Sequence, residues 1–483
     1  MSQEGTRQHQ IDTAPLLDEG GLEDHKAVPA SSVPHVPASS PMQCFLNMLS
    51  AMNGMGVIAL PFATYLGGAI TFLLVFVCAF VSWASACLIT CSLYDGSHAA
   101  EFPGDDRELR LKAWESEKEA ATRWFRARNS YADNGETAFG NFGRRFVLLI
   151  QVASLTLVAA LFCTLSGDTM YALVQHIVKD DESAENWLGH LTVRAWTGIF
   201  VIMVVPASCL SSLKSLSWLS GFGVLVHFLL QATMFIQAVE STRQGGEGFL
   251  RKRFTEDLTL VNWSSVPCAL GIVIFSFSCH TLMPGVEDSL KSSERYKFPR
   301  IAAMAFGSSA ALKTMFMLST WVAWGPATTD NALYPNGKQE ISPAWISAAA
   351  SVSVICCTMA TVPVLLFVLL RTIFLNFDRT STPALRSCFG SAFSFRQAVR
   401  FAAIAVIASV AVGLPQIKII MAFCGSVMSG LTVFVMPTMF YARIRFKEGA
   451  LSVCSVGFLA ALCALGLAAG VLGLSDTISG CTK

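Results

Sequence analysis

Two short runs of helix-breaking residues interrupt otherwise apolar stretches of the chain. The first run consists of Asn53, Gly54, Met55 and Gly56, followed by Leu60 and Pro61. The second run consists of Ser276, Phe277, Ser278, Cys279 and His280, followed by Pro284 and Gly285. Glycine and proline interrupt helices, and the backbone groups that they free are costly in hydrocarbon unless a polar partner binds them. The two runs therefore predict a binding site for a polar ligand.

A zwitterionic amino acid would satisfy both kinds of free backbone group. Its carboxylate suits the N–H groups and the positive dipole end of a half-helix that begins near Gly54 to Gly56. Its ammonium suits the carbonyl groups freed around Ser276 to Ser278. We therefore predict that both runs bind substrate and that Tyr171 covers the site from the third helix, with core packing as the competing role for this tyrosine. The alternative for the glycines is that they only allow close packing of helices.

The composition limits the class of protein to which such a site can belong. Of the 483 residues, 53% are hydrophobic and 14% are charged, whereas a soluble globular chain has about 25% charged residues. The formal net charge of +1 gives no basic surface for nucleic acid. The usual sequence motifs for metal, acyl-transfer and nucleotide chemistry do not occur. We expect an all-α polytopic membrane protein that is not an enzyme, with no metal and no cofactor.

Eleven apolar stretches have about the length of 20 residues that a membrane helix needs. They are predicted at residues 43–66, 69–93, 146–172, 195–210, 217–240, 266–285, 301–324, 345–370, 401–416, 419–441 and 450–474. The two interrupted helices are the first and the sixth, so each opens a block of five. Paired interrupted segments in corresponding positions of two halves indicate an inverted-repeat transporter with a site near the midplane.

This pattern predicts the organisation of the chain. The predicted segments are a disordered cytosolic tail at 1–42, a first repeat at 43–240 with a cytosolic loop at 94–145, a second inverted repeat at 266–441, and an eleventh helix at 450–474. The excess of Lys and Arg in the loops on one side places the N-terminus in the cytosol and the C-terminus in the lumen. The basic run Arg251 to Arg253 is the exception, because this topology places it on the lumenal side.

Two loop features carry smaller predictions. The composition of residues 105–128 favours a helix, in which Trp114, Ala121, Trp124 and Phe125 share a face that lies on the bilayer or, alternatively, in solvent. Asn262 begins an Asn-Trp-Ser glycosylation sequon. We expect this sequon to be unused, because it directly precedes the sixth helix.

The residues of the first interruption also carry a family resemblance. The run from Asn47 to Pro61 resembles the first-helix motif of the amino acid/auxin permease family, and within it the branch of vesicular inhibitory amino acid (GABA/glycine) transporters. Further segments agree in order, among them 166–171, 271–277, 284–287 and 415–437. The resemblance implies a LeuT-type fold, in which two inverted five-helix repeats are followed by an eleventh helix. It also implies secondary transport of amino acids.

Five residues are candidates for coupling or gating. Ser50 stands where Na⁺-coupled members of the wider family often have asparagine, and Thr361 lies in the eighth helix, where a small hydroxyl residue is usual. Since the first and eighth helices offer no carboxylate to Na⁺, we favour transport driven by a proton gradient or by the membrane potential. Lys313 and His280 are ionisable residues within helices and are therefore candidates, with His227 as a weaker one. Glu287 beside Lys291 predicts a gate pair or an ordinary solvated pair.

The N-terminal tail contains a candidate sorting signal. Asp12 lies four residues before the pair Leu16 and Leu17, which resembles the acidic dileucine signal read by endosomal and lysosomal sorting adaptors. A chance match is the alternative. The signal predicts a vesicular or endolysosomal membrane as the location, with a sorting adaptor as a partner besides amino acid, protons and lipid.

A second function fits the same residues. A membrane receptor that senses an amino acid and signals through its tail and the loop at 94–145 would have the same binding site. Net flux of substrate across the membrane distinguishes a transporter from such a sensor.

Overall fold

Large apolar side chains cover the outer surface of the helices, as the composition requires. The computed structural model describes residues 39–95, 125–179, 190–208, 213–329, 333, 344–380, 392–413, 423–449, 451 and 453–481. Leu73, Phe76 and Phe80 are about half exposed on one helix, and Trp218 is 82% exposed on another. An apolar surface of this extent is unfavourable in water and favourable in lipid. The protein is therefore a multi-pass membrane protein.

The described residues form fourteen α-helices and two short strands. The helices before residue 250 are α1 (Pro41–Met52), α2 (Leu60–Gly67), α3 (Ile70–Cys91), α4 (Tyr131–Lys179), α5 (Val193–Ser208), α6 (Leu213–Gly245) and α7 (Phe249–Thr255). The later helices are α8 (Val266–Ser276), α9 (Met283–Ser289), α10 (Phe298–Trp324), α11 (Ala344–Thr380), α12 (Ala392–Gly413), α13 (Met436–Lys447) and α14 (Val453–Cys481). The strands are β1 (Tyr94–Asp95) and β2 (Phe125–Arg126), which pair antiparallel.

Most of the predicted membrane helices are present. Within the part of the chain that the structure describes, nine helices are long and apolar enough to cross a membrane, and α5 is a shorter apolar helix. The first predicted helix is divided into α1 and α2, and the sixth into α8 and α9. A π-helical stretch precedes α13 and packs against α14. The all-α polytopic class and the interruption of the first and sixth helices are thus confirmed.

A polar helical segment that the sequence analysis did not predict precedes the third membrane helix. α4 joins this segment, which begins at Tyr131, to the membrane helix across the non-helical residues Phe139 and Gly140, where the φ of Gly140 is +66°. The first turns of α4 are polar, so hydropathy does not predict them as membrane helix. They are stabilised because Arg144 forms ion pairs with Asp133 at 2.6 Å and with Glu136 at 2.9 Å.

The expectation of a helix over residues 105–128 is wrong at its end. Phe125 and Arg126 lie in β2 and pair with Tyr94 and Asp95 of β1. This pairing follows directly from the turn after α3, since the carbonyl of Leu93 accepts hydrogen bonds from the N–H groups of residues 127 and 128. Trp114, Ala121 and Trp124 lie outside the described residues.

Four helices pack around the two interruptions. α11 packs against α4 and α6, and α10 packs against α6 and α1. α8 packs against α2 and the π-helical stretch. Most residues of the two interruptions are therefore buried within the bundle.

Candidate functional site

The first interruption separates α1 from α2. Asn53 is the C-cap of α1, and its N–H donates to the carbonyl of Leu49 at 2.9 Å. A 3₁₀ turn, Met55–Val57, follows, and the N–H of Val57 donates to the carbonyl of Gly54. The N–H groups of residues 54–56 lie between these two hydrogen bonds. They are the donors that the sequence analysis predicts to bind the substrate carboxylate.

The second interruption separates α8 from α9. α8 ends at Ser276, and Phe277 is its C-cap. A 3₁₀ turn, His280–Leu282, leads into α9, which has a proline in its first turn. A helix C-terminus leaves carbonyl groups without intrahelical partners. The chain therefore presents a negative dipole end at Ser276.

The two interruptions lie in direct contact. A Cβ atom on Gly56 would lie 2.8 Å from Cα of Ser276, which is closer than real Cβ contacts allow. A Cβ atom on Gly54 would lie 3.0 Å from the Phe162 ring of α4. The glycines therefore allow close approach, as the alternative interpretation expected, and this approach brings the donors of one interruption to the acceptors of the other.

Helix α10 holds both interruptions with two side chains one turn apart. The Ser309 hydroxyl donates to Oδ1 of Asn53 at 2.7 Å. The Lys313 ammonium donates to the carbonyl of Ser276 at 2.5 Å. Residues four apart lie on the same face of a helix. One face of α10 thus fixes the position of α1 relative to α8.

Lys313 is completely buried, and its ammonium also lies 3.6 Å from the centre of the Phe277 ring. Among the described residues, no carboxylate lies within ion-pair distance of this ammonium. A cation at a helix C-terminus interacts favourably with the helix dipole. The Ser276 carbonyl that the sequence offers to a substrate ammonium is therefore already bound by a charge of the protein itself.

A small cavity of about 30 Å³ lies where the two interruptions meet α4 and α11. Its wall includes the predicted residues Gly56, Ser276 and Ser278. The α4 side of the wall consists of Ser154, Leu155, Val158 and Phe162. A volume of this size holds about one water molecule. The cavity in this conformation is therefore too small to hold an amino acid.

The α4 wall is the part of the site that sequence reasoning missed. Ser154 lies in the wall, and the nearby Gln151 amide donates to the carbonyl of Thr281 in the second interruption at 3.2 Å. Two polar residues on one face of an otherwise apolar helix were the available signal. Tyr171, the predicted cover, lies nine residues beyond Phe162, which is about 13 Å along the helix. It is half-buried and is not part of the cavity wall.

The two hydroxyl residues predicted for coupling have different surroundings. Thr361 donates to the carbonyl of Cys357 in its own helix at 2.8 Å, and its methyl group faces Gly54. Ser50 is buried, and its hydroxyl has no hydrogen-bond partner among the residues that the structure describes. It faces α6, where a Cβ atom on Gly223 would lie 3.2 Å from the hydroxyl oxygen.

The two candidate histidines, His280 and His227, also have different surroundings. Nε2 of His280 lies 2.9 Å from the carbonyl oxygen of Ser82, and its ring packs against Phe306. This environment is typical of a packing residue. His227 is also buried, but its Nε2 has no hydrogen-bond partner.

Glu287 binds other groups than the predicted Lys291, which is exposed. The Glu287 carboxylate is fully buried and lies 3.1 Å from the guanidinium of Arg126. It also accepts a hydrogen bond from the Tyr94 hydroxyl. The expectation of a Glu287–Lys291 pair is wrong, because the loop between α3 and α4 brings its own arginine to this end of α9.

Two interrupted helices that meet at a small cavity inside a membrane-spanning bundle are the arrangement of a carrier-type transport protein. Residues 37–102 and 116–479 match the family described as transmembrane amino acid transporter protein. The chain belongs to this family. The predicted relationship to amino acid/auxin permeases is thus confirmed.

Curated relatives carry the same kind of name. The vesicular inhibitory amino acid transporter of Homo sapiens is 22% identical over 419 residues, which cover 83% of this chain and 69% of that protein. The Xenopus tropicalis protein of the same name is also 22% identical, over 83% of this chain and 70% of its own. The amino acid transporter AVT1I of Arabidopsis thaliana is 27% identical over 54% of each chain.

Solved structures show the same fold. MhsT in complex with L-phenylalanine superposes with a TM-score of 0.59 and 13% identity, over 92% of this chain and all of that chain. A Na⁺-coupled sialic acid symporter superposes with a TM-score of 0.54 and 11% identity, over 91% and 90%. The LeuT-type fold is therefore confirmed.

The contact between the interruptions generates a direct prediction. We expect Gly56→Leu to reduce uptake of labelled amino acid into proteoliposomes by at least about tenfold, because overpacking of about 1–3 kcal/mol separates the two interruptions. Gly307→Ala in α10 is the matched control, since a Cβ atom there meets nothing within 4 Å. Uptake by Gly56→Leu at the wild-type rate would exclude this contact as the substrate site.

Proposed function

We propose that the chain is a secondary active transporter of amino acids that works by alternating access around its two interrupted helices. The observation that carries this proposal is the contact of Gly56 with Ser276 beside the closed cavity. The backbone of the first interruption and the hydroxyl side chains of Ser276 and Ser278 meet there.

The substrate carboxylate binds the N–H groups of residues 54–56 in this proposal. The substrate ammonium binds near Ser278 and Ser154, because Lys313 already occupies the Ser276 carbonyl. Phe162 and Leu155 contribute the apolar part of the wall and contact the substrate side chain.

Net flux is the first test of the proposed function. We expect purified protein in proteoliposomes to accumulate at least one member of a panel of labelled amino acids beyond the amount that one site per protein can hold. Saturable binding with no flux would contradict transport and favour the sensing receptor. Empty liposomes and the Gly56→Leu variant control for leak and for a misassembled site.

We also propose that the driving force is a proton gradient or the membrane potential, with Lys313 as the central charge. Residues 41–67 and 345–370 contain no Asp or Glu, so a Na⁺ ion there would have only neutral oxygen ligands. The Lys313 ammonium lies at the C-terminus of α8, where a mobile cation would otherwise be stabilised. A cation held by the protein makes a co-transported Na⁺ unnecessary at this position.

The coupling proposal predicts how uptake responds to ions. We expect uptake to persist when choline replaces Na⁺ and to fall when a protonophore collapses the pH gradient. Saturable stimulation by Na⁺, together with indifference to the protonophore, would show that the coupling assignment is wrong. The proposed substrate class and the fold would remain.

Lys313→Met is the decisive variant for this prediction. Because the variant removes both the buried charge and the partner of the Ser276 carbonyl, we expect its gradient-driven uptake to be lost. Lys297→Met at the start of the same membrane helix is the matched control, because this lysine is 40% exposed. His280→Ala should have the smaller effect, since His280 packs against Ser82 and Phe306.

The location that we propose is a vesicular or endolysosomal membrane, with the N-terminus in the cytosol. The names of the curated relatives and the tail residues Asp12, Leu16 and Leu17, which lie outside the described residues, support it. We expect replacement of both leucines by alanine to move the protein to the cell surface, because a sorting adaptor would no longer bind the tail. Leu22→Ala in the same tail is the control, and an unchanged distribution would mean that the dileucine match is incidental.

A further inference from the structure

An acidic pair at the end of α9 is surrounded by arginines from three different segments. The pair is Glu287 and Asp288, and the Glu287 side chain is fully buried. The three arginines are Arg126 of β2, Arg295 in the turn after α9, and Arg371 of α11. Since three positive charges face two negative ones, each carboxylate is compensated in a region with little access to water.

Arg126 and Arg295 both contact the two carboxylates, but only Arg126 reaches them from a segment that lies far away in the chain. Its guanidinium lies 3.1 Å from the Glu287 carboxylate, donates to the carbonyl of Pro284 at 3.0 Å and bonds to the Asp288 carboxylate. One side chain therefore binds three acceptors of α9 in a forked geometry that only arginine provides. The guanidinium is itself 7% exposed. Of its two carboxylate partners, Glu287 is fully buried and Asp288 is 29% exposed.

The backbone of Arg126 belongs to a strap between two membrane helices. This β1–β2 strap is formed by Tyr94–Asp95, directly after α3, and Phe125–Arg126, directly before α4. Tyr94, on the other strand, donates its hydroxyl to the second oxygen of Glu287. Burial and the neighbouring Glu287 charge raise the pKa of Tyr94 above its ordinary value, so that this phenol stays protonated. Both strands of the strap thus bind the same carboxylate.

Two further contacts fix α9 at the same end of the bundle. Arg371 of α11 lies 2.5 Å from the Asp288 carboxylate. The N–H of Ser39, just before α1, donates to the carbonyl of Ser289 at 2.6 Å. The outer ends of α1 and α9, which are the half-helices beside the cavity, are therefore tied to each other, to α11 and to the strap. We call this side of the bundle the N-terminal face.

We infer that the Arg126 contact with Glu287 and Asp288 is a latch that keeps the cavity closed toward the N-terminal face. For a substrate to pass between the cavity and this face, α1 or α9 must move away from α4 and α11, and the latch must open first. Arg126 is in this sense a positioning residue of the transport cycle, because it touches no substrate. The inference rests on the contacts around α9 and holds whichever amino acid is carried.

The latch sets the population of conformations rather than the binding of substrate. A contact present in the closed conformation and absent in the open one shifts the equilibrium by its whole differential free energy. Weakening the latch therefore increases the fraction of molecules that are open toward the N-terminal face. This fraction can be measured without any transport, so a negative result here is distinguishable from a failure of the proposed function.

Cys44 is a native reporter of this opening. It lies in α1 one turn after the helix begins and is completely buried where α1 packs against α9. We expect Arg126→Ala in lipid nanodiscs to increase the rate at which N-ethylmaleimide modifies Cys44 by about tenfold, which corresponds to about 1.4 kcal/mol. The modification is read at each cysteine by peptide mass spectrometry.

Internal and matched controls separate latch opening from unfolding. Cys163 and Cys424 are equally buried but lie away from the latch, so their modification should stay at the wild-type rate. Arg145→Ala removes an exposed arginine of α4 and should leave Cys44 protected. If Arg126→Ala exposes all three cysteines, this variant has unfolded and Tyr94→Phe is the test instead. Because Tyr94→Phe removes only one hydroxyl, we expect a smaller increase in the modification rate of Cys44 and no increase at the other two cysteines. The latch would be excluded if Cys44 of folded Arg126→Ala were modified at the wild-type rate. Where Arg126→Ala unfolds, a wild-type rate in Tyr94→Phe would exclude it.

Discussion

Interrupted backbone in a low-dielectric interior is the constraint on which the rest of this structure depends. Each carbonyl or N–H group without a partner costs several kcal/mol in hydrocarbon, so an interruption persists only where other groups bind it. α10 supplies these groups with Ser309 for Asn53 and Lys313 for the Ser276 carbonyl. The conformation of both interruptions therefore depends on the position of α10.

The same constraint explains why a charge is buried without a carboxylate partner. A lone ammonium in a membrane bundle is expensive, but a helix C-terminus and an aromatic face each stabilise it. Lys313 has both, in the Ser276 carbonyl and the Phe277 ring. Any movement that separates α8 from α10 removes both partners at once. A change in the charge of Lys313 and a change in the position of α8 relative to α10 therefore depend on each other.

The molecule has two polar centres with different physical roles. The central one, around Gly56, Ser276 and Ser154, is a small cavity whose polar groups are hydroxyls and backbone set among apolar side chains. The second, around Glu287 and Asp288, is built from charged side chains and lies where α9 ends. Neutral dipoles suit the reversible binding of a zwitterion. Buried ion pairs suit a contact that is either fully formed or fully broken, because a charge that has lost only its partner is costly to bury. α9 connects the two centres, because it begins beside the cavity and ends in the ion pairs.

The sequence by itself determined the membrane class, most of the helices and the two interruptions, because apolar length and helix-breaking residues act locally. It also identified Gly56, Ser276 and Ser278 as cavity residues, since a break in an apolar helix requires a partner wherever it occurs. Only the tertiary structure showed that Lys313 binds Ser276 and that α4 forms the facing wall. These contacts join residues far apart in the chain, and no local pattern encodes them.

The partner of Glu287 shows the same limit most clearly. Local spacing favoured Lys291, which is four residues away, whereas the structure pairs Glu287 with Arg126 and Tyr94 from a loop that precedes it by more than 150 residues. The polar start of α4 was likewise missed, because its charges are satisfied by one another only after the chain turns at Gly140. Sequence determines where polar groups must find partners within the membrane. Which partners they find depends on how the helices pack, because the free energy of a buried charge depends on its whole surroundings.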